Sequence, residues 1–205
     1  NSADATGMVQ TAESGMNTVS NIVLRMREIS VQMNNGIYSA ADRANASSEF
    51  NALRNEITKI ATYTSFNSTS LLSGGIDTTM RAGDTNTQTI AVTIDSVLPT
   101  ALSISSITLA TLTNAASSVT ALDGALSALA GFQAELGGLQ NRFQHNIDNL
   151  TKGAMYTEQA IGRIIDADFA VETSELSKQQ ILGQAATAML AQANTSKQSV
   201  LQLLQ

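Results

Sequence analysis

The sequence predicts a mainly α protein: an elongated rod of long antiparallel helices in a coiled-coil-like bundle, with a small β-hairpin and a carboxyl-terminal helical arm. Three observations carry this. Apolar residues recur at spacings of three and four on both sides of a central segment, the period drops to two between residues 78 and 95, and the single Pro, Pro99, lies near the middle.

In the first wing Val9, Ala12, Met16, Val19, Val23, Met26, Ser30, Met33 and Ile37 form a heptad seam sustained for four repeats. Asn34, Asn35 and Gly36 supply a stop, and Ser39 to Asp42 offers a fresh N-cap. A second helix follows, with Phe50, Leu53, Ile57, Ile60 and Thr64 on its seam and Asn67-Ser68 at its end. The hairpin comes next, over about 78–95: a strand around Met80, a turn through Gly83, Asp84, Thr85 and Asn86, and the alternating run Thr89 to Ile94. Val97 to Asn114, rich in Ser and Thr, reads as a short strand plus an irregular connection. From about 116 to 164 a near-heptad stripe returns: Leu122, Leu126, Leu129, Leu136, Leu139, Phe143, Ile147, Leu150, Ala154, Thr157, Ile161 and Ile164. The final arm, Ser174 to Gln205, places Leu176, Leu182, Ala186, Met189, Ala193, Val200 and Leu204 on one face with few charges. Such a helix needs a partner, because alone it exposes contiguous apolar surface.

Composition narrows the function. Ser, Thr, Asn and Gln together number 74 of 205 residues, whereas only 14% are charged, so the surface is polar but nearly uncharged. Zero Cys excludes disulfide scaffolds and thiol chemistry, and a lone His145 leaves no His-based metal site, so no cofactor is expected. A net charge of -6 with 11 scattered basic residues argues against a nucleic-acid surface. Two charge-free stretches, Ser96 to Leu122 and Gln179 to Ser196, are interrupted by Pro99 or by Ser, Thr, Asn and Gln, so neither reads as a continuous apolar membrane span. No secretory signal stands at the amino terminus, and the absence of an initial Met reads as a trimmed start.

Candidate chemistry is sparse. Asp166 and Asp168 are the closest paired carboxylates, but at i and i+2 they diverge on a helix, so solvated or capping roles suit them better than acid and base. Sequons at Asn45, Asn67, Asn149 and Asn194 fall mostly within predicted helices. With no phosphate loop, nucleophile elbow or metal helix motif, an enzyme is not expected.

Several separated motifs give the sequence a family likeness. Leu136 to Phe143, including Gln140, Asn141, Arg142 and Phe143, then Arg163 to Glu172, with Asp166 and Asp168, resemble the carboxyl-side signature of bacterial flagellins. Met189 to Asn194 and Val200, Leu201, Gln202, Leu203 and Leu204 extend it, while Gln10 to Glu13, Arg25 to Gln32, Asn55 to Thr58 and Phe66-Asn67 match the amino side. The resemblance implies a self-assembling subunit of the flagellar filament, secreted through the flagellar export channel without a cleaved signal. Its partners would be other flagellin subunits and no membrane. It implies that 1–165 forms the outer-tube rod and 166–205 the inner-tube arm, with the family's amino-terminal arm lacking here. Leu176, Ile181, Leu182, Met189, Leu190, Val200, Leu201, Leu203 and Leu204 would then serve assembly and the flagellar export chaperone. The resemblance also implies an epitope for the vertebrate Toll-like receptor at Arg25, Glu28, Ile29 and Glu56. The readings set against it are a hook-filament junction protein and a glycan-binding surface adhesin. The latter is disfavoured by the absence of any aromatic between residues 67 and 131.

Overall fold

The computed structural model describes residues 1–165 and 168–203, with side chains through residue 199. Its elements run α1 (Ser2–Met33), α2 (Ala40–Tyr63), β1 (Ser65–Phe66), β2 (Thr69–Ser70), β3 (Ile76–Arg81), β4 (Thr89–Ile94), α3 (Leu112–Ile165) and α4 (Phe169–Leu203). The chain divides into two compact units, Asn1–Lys152 and Gly153–Gln205.

The first unit is built around α1, which at 32 residues is about 48 Å long. Its seam is the core: Val9, Ala12, Met16, Val19, Val23, Met26, Ser30 and Met33 are all buried. Ile37 departs from the seam at 78% exposure, because Met33 is the last helical residue and the seam needs the helix to continue. Then Ser39 caps α2 through a capping box, its hydroxyl accepting from the Asp42 amide while the Asp42 carboxylate accepts from the Ser39 amide. Phe50 and Ile57 face the core and Leu53 and Ile60 pack at its edge.

α3 runs antiparallel to α1. Arg27 pairs with Asp123, Gln133 donates to Asn17, Gln140 to Glu13 and Asn146 to Ser2, so the partners descend α1 as they climb α3. Between these polar ties Leu122, Ala125, Leu129, Leu136, Leu139 and Phe143 are buried. The stripe read from the sequence leaves the core there: Leu150, Ile161 and Ile164 are exposed. Phe143 is the last buried residue of α3, although the periodicity continues beyond it.

The helix before it ends at Tyr63 rather than at Asn67-Ser68, and these two residues instead form the turn of a small antiparallel hairpin, β1 with β2. Both have positive φ, 47° and 64°, the geometry of a two-residue type I′ turn. The second hairpin matches the expected alternation, extended at its start to Ile76: Ile90, Val92 and Ile94 point inward and their neighbours outward. Val97 to Asn114 contains no strand. It is a series of turns around Pro99 that inserts Val97, Leu102, Ile104 and Leu109 into the core, and α3 begins at Leu112, within it. Arg54 holds the segment from α2 by donating to the carbonyls of Ser105 (2.7 Å) and Ile107 (3.3 Å).

The many hydroxyls find partners locally. Thr6, Thr11, Thr18 and Ser30 each donate to a carbonyl four residues earlier on α1. Among the described residues no buried side-chain N or O lacks a hydrogen bond.

In the second unit α4 is continuous across Gln179 to Ser196, where Gln, Ala, Met and Leu are all good helix formers. Leu176 lies off the arm's stripe: six residues before Leu182, it sits about 120° round the helix from it.

Candidate functional site

The side chains singled out by the sequence fall into three groups. In the first, α1 and α2 carry a charged strip. Arg25 donates to Glu49 of α2 (2.9 Å) and to Glu28 one turn along α1 (3.1 Å). These bonds, to Glu49 first and Glu28 second, hold the Arg25 guanidinium above its ordinary pKa. Glu56 lies seven residues beyond Glu49, on the same face of α2, and pairs with Lys59 (3.2 Å). Ile29 is not part of this surface. At 2% exposure it belongs to the core, because position 29 turns inward between Met26 and Met33. Glu49, unmentioned in the sequence reading, takes its place as Arg25's principal partner, a contact between helices that helical spacing within α1 could not disclose.

The second group is the signature residues, some of which are structural ties. Gln140 donates to Glu13 (2.5 Å) and Phe143 is fully buried, while Asn141 and Arg142 face solvent. Asp168 caps α4, its Oδ1 accepting from the amides of Ala170 (3.0 Å) and Val171 (3.4 Å), which is the capping role weighed against catalysis. Arg163 is exposed, and Asp166 lies outside the described residues.

α4 carries the third group. Leu176, Ile181, Leu182, Met189 and Leu190 are 53–72% exposed, and no described residue of this helix is buried. The side chains of Val200, Leu201 and Leu203, and all of Leu204, lie outside the described residues.

One buried cation escaped the sequence reading. Arg43 of α2, 7% exposed, donates to the main-chain carbonyls of Met33 and of Asn35 (2.8 Å to the latter). It thereby satisfies the free carbonyls at the C-terminus of α1, where positive charge also complements the helix dipole. Only the fold of the 34–39 turn brings it there, ten and eight residues from its two acceptors.

No group of three or more His, Asp or Glu side chains converges among the described residues, and His145 is an exposed residue of α3. By length and composition one 18-residue window between residues 112 and 199 reaches a mean hydropathy of 1.2, enough for a membrane span, and 28% of that window is buried within the fold.

A packed helical unit, hydrogen-bonded seams and a long exposed apolar helix define the class: a helical structural protein. The comparisons specify it. The bacterial flagellin N-terminal helical region matches residues 1–77 and the bacterial flagellin C-terminal helical region residues 119–204. Flagellin of Halalkalibacterium halodurans is 39% identical over 209 residues, covering all of this chain and 76% of that protein. Flagellin of Bacillus subtilis is 36% identical, covering all of this chain and 79% of its own. The crystal structure of Bacillus cereus flagellin superposes with a TM-score of 0.63 at 27% identity, covering 78% of this chain and 93% of that one. A putative flagellar hook-associated protein from Vibrio parahaemolyticus, at 15% identity and a TM-score of 0.65 over 80% of this chain and 88% of its own, shares the fold. The chain belongs to the bacterial flagellin family, and its function is that of a structural subunit of the flagellar filament.

Proposed function

We propose that this subunit polymerises through its carboxyl-side segment, 166–205, packed against copies of itself, while 1–165 forms the surrounding rod. The observation that carries this is the exposure of α4: side chains such as Leu182 (53%) and Met189 (72%) stand in solvent along a 35-residue helix. Fully burying a Leu or Met is worth about 1.5–3 kcal/mol, so a helix carrying several is stabilised by any covering partner. Heterologous contacts that do not close on themselves then yield an open helical polymer. The finished filament lies outside the cell, and before export the same apolar residues are held by the flagellar export chaperone. Pelleting and electron microscopy of the wild-type chain and of a Leu182→Asp, Met189→Asp variant test this. Filaments are expected from the wild type alone, and equal yields would overturn the reading.

We also infer recognition by the vertebrate Toll-like receptor through Arg25, Glu28 and Glu56. Their support is the solvent-facing strip, in which Arg25 is fixed between two carboxylates. Ile29 contributes only by holding α1 in place. A receptor reporter assay is expected to lose response when Arg25 and Glu56 become Ala; an unchanged response would remove the proposal.

A further inference from the structure

The turn between α1 and α2 contains the chain's one Asn-Gly pair, Asn35-Gly36. Residues 34–37 are exposed, and a side chain at Gly36 would meet nothing within 4 Å, so this peptide is open to solvent. The Asn35 side chain folds forward along the chain: its Oδ1 accepts from the amide of Ile37 at 3.2 Å, an Asx-turn arrangement. That bond draws Cγ toward the intervening Gly36 nitrogen and places an N–H donor on the oxygen that becomes negative when Cγ is attacked. On the other side of the same residue, the main-chain carbonyl oxygen of Asn35 accepts from the Arg43 guanidinium at 2.8 Å. The two carbonyl groups of Asn35 are thus each bound by a donor, one neutral and one cationic.

We propose that Asn35 is a self-modification site that converts to isoaspartate, directed to that product by Arg43. The Gly36 amide nitrogen, losing its proton to solvent base, bonds to Asn35 Cγ. The Cγ–Nδ2 bond breaks and Nδ2 leaves as ammonia with a proton from solvent, closing a succinimide. Water then adds to the main-chain carbonyl carbon of residue 35, and the bond from that carbon to the Gly36 nitrogen breaks as the nitrogen regains a proton. The chain now runs through Cγ, and the former main-chain carbonyl is a free carboxylate. Nothing is oxidised or reduced. Arg43 governs the second step because its guanidinium lies on the oxygen that bears charge when water adds at this carbon. The same guanidinium faces the resulting carboxylate, so an ion pair replaces a bond to a neutral carbonyl. Attack at Cγ, which would give ordinary aspartate, receives only the Ile37 amide.

The test is incubation of the folded chain in heavy-oxygen water at mildly alkaline pH, followed by digestion at acidic pH and mass spectrometry, with isoaspartyl methyltransferase scoring the isomer. Label is expected at residue 35 several-fold faster than at Asn141, which is also exposed but followed by Arg142. The isoaspartyl share is expected to be higher in the folded chain than in the same chain in denaturant, and Arg43→Gln, confirmed as folded by circular dichroism, lowers it to the denatured value. Gly36→Ala, which has room for its methyl group, slows the first step several-fold. An isoaspartyl share equal in the folded and denatured wild-type chain overturns the proposal. So does one unchanged in folded Arg43→Gln, or labelling no faster at Asn35 than at Asn141. If Arg43→Gln does not fold, the wild-type comparison of folded with denatured chain decides alone.

Discussion

Single residues join the helices of the first unit, and their contacts differ in how they respond to solution conditions. The apolar ones are insensitive to pH, whereas the ionic and capping ones depend on it. Asp123 is held below the ordinary carboxylate value, chiefly by its hydrogen bond from Arg27, and Asp42 likewise, by the hydroxyl and then the amide of Ser39. A carboxylate with a lowered pKa in the folded state binds fewer protons there than in the unfolded chain. Its stabilising contribution is therefore complete above the unfolded value and is lost as pH falls through the folded one. Thermal midpoints measured from neutral pH down through the carboxylate range, below about pH 5, are expected to decline. In Asp123→Asn the decline should be shallower, and an identical slope would show that this tie is silent in solution. Both pairs lie at the surface, where screening keeps such contributions small. Sequence alone located Asp42, because a Ser-x-x-Asp spacing is a local signal. It could not locate the Arg27–Asp123 pair or the role of Arg43, whose partners lie far along the chain or at a helix end that folding must bring near.

Among the elements, the long helices were legible and the short hairpin was not. A heptad seam repeats one signal many times, so a local error such as Ile37 changes only the boundary. The β1–β2 hairpin has two residues in each strand and no alternation to read. Asn67-Ser68 served equally well as a helix stop, and the choice was made by Leu71 and Leu72, which must reach the core directly afterwards. The 97–114 segment misled for a related reason: apolar residues at every second or third position suit a strand, but also suit successive turns that each insert one side chain. The hairpin turn carries an energetic signature. Ser68 occupies the left-handed region at φ 64°, which costs a non-glycine residue about 1–2 kcal/mol. Ser68→Gly is expected to stabilise the first unit by about 1 kcal/mol, less the extra entropy that glycine gives the unfolded chain. Denaturant midpoints measure this, and a destabilised variant would mean that Ser68 makes a contact worth more than the strain it bears.

At the scale of the whole molecule the two units differ in what holds them, and this separates stability from assembly. The first contains the buried core from Ala5 to Phe143, whereas the described part of α4 has no buried residue. The amphipathic stripes announced both helices, but whether a seam is covered within the chain depends on which other helices fold against it. The seam of α1 is covered, whereas the described side chains of α4 are exposed. Substitutions in the two units should accordingly have opposite profiles. Phe143→Ala removes a fully buried ring and is expected to cost about 3–5 kcal/mol. Leu182→Asp, on a solvent-facing position, should change the stability of the unassembled chain by no more than about 0.5 kcal/mol. Amide hydrogen exchange gives the same contrast without mutation. Amides of α1 open only with the core, near the global free energy, whereas those of α4, with no buried side chains to hold them, exchange through local opening at much lower free energy. In filaments the α4 amides should become protected while those of α1 change little. If α4 is already as slow as α1 in the free chain, its apolar face is covered without assembly, and the filament would need another surface to join its subunits.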